Sequence, residues 1–159
     1  MAGSFGLGIS TADDPVDWDA LTRYATEVMQ RAYAPYSQYK VGVAGLVDDG
    51  RVVLGCNVEN AAYGVALCAE CGMVSALHAT GGGRLRAVAC VDGQGRPLMP
   101  CGRCRQLLWE NGGPAMELLT ARGVVTMDQV LPDAFDSSDL DAAADGSSGP
   151  DAPDQENPA

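Results

Sequence analysis

The chain is poor in positive charge. Its 159 residues include only ten lysines and arginines and one histidine, with no basic cluster. Binding a nucleic-acid duplex or an anionic membrane needs several Lys or Arg on one surface, so neither is expected as a partner. The sequence also lacks any apolar run approaching a membrane span, and its start, MAGSFGLGISTADDP, has neither a cationic beginning nor a sustained apolar stretch. No secretory signal or membrane anchor is read there, and a cytoplasmic protein is expected.

Acidic charge is unevenly distributed. Residues 133–159 hold eight acids and no Lys or Arg, leaving 13 acids against 10 bases in residues 1–132. The formal net charge of −11 therefore belongs mostly to a tail, and the remainder, at −3, is nearly balanced. Hydrophobic residues make up 47% of the chain, enough for one core without disulfides at this length. In a reducing compartment the six cysteines, Cys56, Cys68, Cys71, Cys90, Cys101 and Cys104, read as thiols and metal ligands rather than bridges.

Apolar residues from Val16 to Ala32 recur at steps of three or four behind Asp13-Asp14-Pro15, which predicts an amphipathic helix. KVGVAGLVDDGRVVLGCNVEN predicts two strands around an Asp49-Gly50 turn. A helix over about 67–80, a buried strand LRAVACVD, a loop QGRPLMP and a helix over 101–111 follow. Strands near 116–121 and 123–126 and a short helix ending at Leu131-Pro132 complete the order α-β-β-α-β-α-β-β-α. One mixed sheet with helices on its faces is expected. The division is a flexible leader over 1–14, a catalytic domain over 15–135, and an acidic, disordered tail over 136–159, rich in Asp, Ser, Ala, Gly and Pro.

Two C-x2-C pairs carry the chemistry, Cys68/Cys71 and Cys101/Cys104. Each opens a predicted helix, where backbone N–H groups and the helix dipole favour thiolates. Four ligands would make a closed structural zinc site, whereas three would leave a position for water. The 29 residues between Cys71 and Cys101 exceed the roughly 15 to 20 of the usual four-cysteine clamp, and they contain a helix and a hydrophobic strand. The spacing thus leans toward the open site and leaves Cys71 unresolved. Glu70, between the first pair, stands where a non-ligand glutamate could shuttle protons. His78, the only histidine, has no motif partner and reads as structural.

CAE at Cys68–Glu70 followed by PCGRCRQ at Pro100–Gln106 resembles the signature of the cytidine deaminases, specifically the small homotetrameric type with a three-cysteine zinc site. APYSQYKVG, GCNVENAAYG and LPDAF extend the resemblance, which runs from about Trp18 to Phe135. In deaminases that act on nucleic acid the first ligand is His; Cys68 in that place points to free nucleosides.

The resemblance implies an α/β/α sandwich around a mixed, roughly five-stranded sheet. It also implies one zinc per subunit on Cys68, Cys101 and Cys104, with Glu70 as proton shuttle. Asn57 and Glu59 would hold the ribose 3′-hydroxyl, which admits both cytidine and 2′-deoxycytidine. The backbone N–H of Ala69 would meet the pyrimidine carbonyl oxygen. Tyr39 falls where the family usually has Phe against the base, and Tyr63 and Phe135 match positions that complete a neighbouring subunit's site in the tetramer. Zinc with three thiolates carries a net −1, which blunts its power to withdraw electrons. Many relatives have Arg directly after CAE, where this chain has Cys71; Arg103, with Arg105 second, is the expected replacement.

Overall fold

The computed structural model describes residues 14–144. Its elements are α1 (Trp18–Met29), β1 (Gly42–Val47), β2 (Val52–Cys56), α2 (Ala69–Ala79), β3 (Leu85–Val91), α3 (Gly102–Gly112), β4 (Glu117–Thr120), β5 (Gly123–Thr126), α4 (Met127–Val130) and α5 (Ser137–Ala144), with a single 3₁₀ turn at Tyr63–Val65. The five strands form one sheet in the order β2-β1-β3-β4-β5. Only β3 and β4 are parallel; the other neighbours run antiparallel.

Alternation along the central strands sorts side chains into two cores. Ala44 and Leu46 of β1 and Ala87, Ala89 and Val91 of β3 meet Leu21, Ala25 and Met29 of α1. Val43 and Val47 of β1 and Val88 and Cys90 of β3 face the other way, against Met73 and Leu77 of α2 and Leu108 of α3. The result is the expected three-layer α/β/α sandwich, in which each fully buried Leu or Met contributes about 1.5–3 kcal/mol. A register shift opposite Leu46/Val47 puts Leu85 and Ala87 of β3 into different cores, although residues two apart in a regular strand share a face.

α1 begins two residues later than the apolar periodicity predicts, because the Asp17 side chain accepts from the Ala20 N–H at 2.9 Å and fixes the first turn there. The expected leader lies outside the described residues except for Asp14, whose carbonyl accepts from Arg86 at 2.8 Å. The tail reading is corrected over 137–144, which form α5; 145–159 lie outside the described residues. Local capping opposes the disorder-prone composition here. The Asp136 carboxylate accepts from the Ser138 N–H and hydroxyl, and the Asp136 N–H donates back to Asp139.

Gly55 sets how close α2 comes to the sheet. A Cβ at this position would sit on the Ala69 carbonyl oxygen and 2.5 Å from the Met73 nitrogen, both backbone atoms that cannot rotate away. Gly55→Ala should therefore cost more than the about 1–3 kcal/mol of ordinary overpacking, read as a drop in the thermal unfolding midpoint. Because Ala69 follows Cys68 directly, the same variant should displace that cysteine; an unchanged midpoint would contradict the close packing.

Candidate active site

α2 and α3 point their N-termini at the same place. Cys68 caps α2 and Cys101 caps α3, both with extended backbone, and Cys104 lies in the first turn of α3. The three sulfurs lie within 4.8 Å of one another, and among the described residues this is the group able to hold a metal. The Cys104 N–H donates to the Cys101 sulfur and holds that thiol below its usual range. Burial pushes the Cys68 thiol up. Cys104 rises further, through burial and then the neighbouring Glu70. Crowded thiols resist losing their protons together, and a divalent cation removes that resistance. Three sulfurs at two helix N-termini are therefore a donor set suited to zinc.

Cys71 does not join them. Although it has the same place in α2 that Cys104 has in α3, its sulfur accepts from the Arg103 guanidinium at 3.5 Å. The Arg105 guanidinium donates to the carbonyls of Pro100, at 3.0 Å, and Val130, at 3.4 Å. Among the described residues, neither arginine hydrogen-bonds a sulfur of the cluster.

A cavity of about 300 Å³ opens beside the sulfurs, lined by Cys68, Cys101 and Glu70 together with Asn57 and Glu59. Glu70 is only 4% exposed, and its Oε1 accepts from the Cys90 thiol at 3.7 Å. Asn57 Oδ1 accepts from the Val41 N–H at 2.8 Å and its Nδ2 donates to the Tyr39 carbonyl at 2.9 Å. Glu59 accepts from the N–H groups of Tyr36, at 2.8 Å, and Ser37, at 3.2 Å, and from the Ser37 hydroxyl. The hydroxyl foremost holds its carboxyl below the usual range. Both side chains thus fasten the segment 36–41 to the cavity wall.

Residues 17–119 match the family described as cytidine and deoxycytidylate deaminase zinc-binding region. The chain is 60% identical over 127 residues to the cytidine deaminase of Mycobacterium tuberculosis, covering 79% of this chain and 94% of the relative. The chain belongs to the cytidine deaminase family. A more distant relative, the cytidine deaminase of Sporosarcina psychrophila, is 36% identical, with 82% and 99% covered. Among solved structures, the cytidine deaminase of Mycobacterium leprae superposes with a TM-score of 0.74 at 62% identity, covering 75% of this chain and all of that one. The M. tuberculosis structure gives 0.75 at 57% identity, with 77% and 99% covered.

Of the residues singled out in the sequence, the fold unites Cys68, Cys101, Cys104 and Glu70, and brings Asn57 and Glu59 to the same cavity. Ala69, buried, follows Cys68 as the first residue of α2. Tyr39, Tyr63 and Phe135 do not line the cavity and stand exposed at its chain's surface, Tyr63 at 87%. His78 links the two helices, its Nε2 lying 2.8 Å from Asn111 Oδ1. The sequence reading missed the apolar lining, Val41, Leu67, Leu98 and Met99. Leu98 and Met99 lie in the expected loop QGRPLMP, where an apolar pair directly before PCGRC is the available signal.

Proposed function

We propose that this family member hydrolyses cytidine and 2′-deoxycytidine to uridine and 2′-deoxyuridine, releasing ammonia, as a step of pyrimidine salvage. The observation that carries the reading is Glu70, buried in the wall of a nucleoside-sized cavity beside three clustered cysteine sulfurs. Cys68, Cys101 and Cys104 would hold the zinc, which would supply Lewis-acid activation of the attacking water.

The chain's own groups do the rest. Glu70 takes a proton from the attacking water and gives it to N3 of the pyrimidine; it then takes the proton of the new C4 hydroxyl and passes it to the C4 amino group, which leaves as ammonia while the carbonyl forms. The apolar walls of Val41, Leu67, Leu98 and Met99 receive the faces of the base and exclude water. The Ala69 N–H meets the pyrimidine carbonyl oxygen, and Asn57 and Glu59 hold the ribose 3′-hydroxyl. The N-termini of α2 and α3 offset the excess negative charge of the thiolates. Arg103 adds a full positive charge from within the first turn of α3, with Arg105 behind it. Tyr63 and Phe135, exposed on one chain, suit a homotetramer in which they complete neighbouring sites. No membrane-crossing helix is found among the described residues, and the cytoplasm is the proposed location.

The test is loss of cytosine ultraviolet absorbance with matching ammonia release, measured on the zinc-loaded protein with cytidine, 2′-deoxycytidine, cytosine and deoxycytidylate. Turnover of both nucleosides well above the free base and the nucleotide supports the reading; preference for either of the latter overturns the substrate assignment. Glu59→Gln should raise KM for cytidine about tenfold with a smaller change in kcat, because a neutral amide replaces a charged acceptor. The depressed Glu59 carboxyl gives the same contacts a pH dependence. They are complete above the ordinary carboxylate range and are lost as pH falls through the lowered value, so KM should rise only in acid. An unaltered KM in the variant would remove Glu59 from substrate binding.

A further inference from the structure

Resting on the deaminase reading, we propose that Cys90 is a positioning residue for Glu70, its thiol donating to Oε1 and fixing the plane of the carboxyl group during proton transfer. Cys90 lies on β3 beneath α2, only 1% exposed, in the core that also holds Ala69 and Met73. Its sulfur is 3.7 Å from Glu70 Oε1 and is not part of the three-sulfur group.

Two thiols adjoin Glu70, those of Cys90 and Cys104. Once Cys104 serves as a metal ligand it is a thiolate and has no proton to donate. Cys90 is the thiol that remains, and burial keeps its proton in place. An S–H is a weak donor, but it is held by strand and core rather than by a mobile loop. With Oε1 engaged from below, Oε2 is left to exchange protons with the substrate. On the same face of β3 the neighbouring core position is held by Val88, so the packing there takes an apolar side chain that carries no donor.

The tests are kinetic and spectroscopic, on the zinc-loaded full chain. Cys90→Ala, which removes the donor, should lower kcat about five- to tenfold, with KM for cytidine within about twofold and zinc content unchanged. Cys90→Ser, which keeps a donor of similar size, should retain kcat within about twofold. Wild-type kcat in Cys90→Ala, or equal losses in both variants, overturns the proposal. Infrared spectra supply a readout independent of turnover and of whether Cys90→Ala folds. The S–H stretching band that disappears in Cys90→Ser should move to higher frequency in Glu70→Gln, because an amide oxygen accepts more weakly than a carboxylate. A band that does not move also overturns the proposal. Wild-type protein inactive on cytidine would count against the deaminase reading instead, while the band shift would still decide whether the hydrogen bond exists.

Discussion

Replacing Glu70 by Gln is expected to lower kcat for cytidine by about 10²–10⁴-fold while the protein keeps its full complement of zinc. The side chain is nearly isosteric, and the three sulfurs of the metal-capable group, Cys68, Cys101 and Cys104, are untouched. What changes is the capacity to accept and return a proton. The reaction needs that capacity twice, once to move a proton from water to N3 and once to make ammonia a leaving group. Loss of the rate together with loss of zinc would mean that Glu70 holds the site together instead of serving it. Retention of the rate would mean that another group carries the protons. Zinc content by elemental analysis and single-turnover rates on the same preparation separate these cases.

Cys104→Ala should abolish activity through a different route, by releasing the metal. Cys104 is buried at the head of α3, and without its sulfur only Cys68 and Cys101 remain of the cluster. Zinc affinity should fall by more than the about 10–100-fold that loss of an outer-shell partner costs. Dialysis against a weak chelator should strip the variant and leave the wild type loaded. Cys71→Ala is the companion measurement: its sulfur is engaged by Arg103 and lies outside the cluster, so zinc should stay. Zinc loss from Cys71→Ala equal to that from Cys104→Ala would restore the closed four-cysteine site.

Much of the architecture was legible because it rests on local pattern. The apolar stripe of α1, the Asp49-Gly50 turn, the β-rich runs and the glycines closing α2 and α3 each act within a few residues, and the elements form where that pattern puts them. Composition averaged over the 24 residues of 136–159 hides α5, because its first turn is held by local capping around Asp136. Leu98 and Met99 were missed for a related reason. A loop's apolar residues have no period to betray them, and only the packed molecule shows which cavity they line.

The cysteine pairs divide the two kinds of information most sharply. The sequence by itself determined that two helices would each begin with C-x2-C, and that a glutamate would stand second in one and an arginine second in the other. These are the ingredients of a thiolate metal site with a proton carrier. Which sulfurs would meet was beyond it, since Cys71 and Cys104 occupy the same position in the first turn of their helices. Only the relative placement of α2 and α3 on the sheet decided that. Their packing buries Cys104 against Glu70 and turns Cys71 toward Arg103. It also seats Glu70 above Cys90, a contact between residues 20 apart that no local pattern encodes. Metal coordination and carboxyl positioning need fixed distances of a few ångströms between separate chain segments, and a rigid core supplies those distances where sequence spacing cannot.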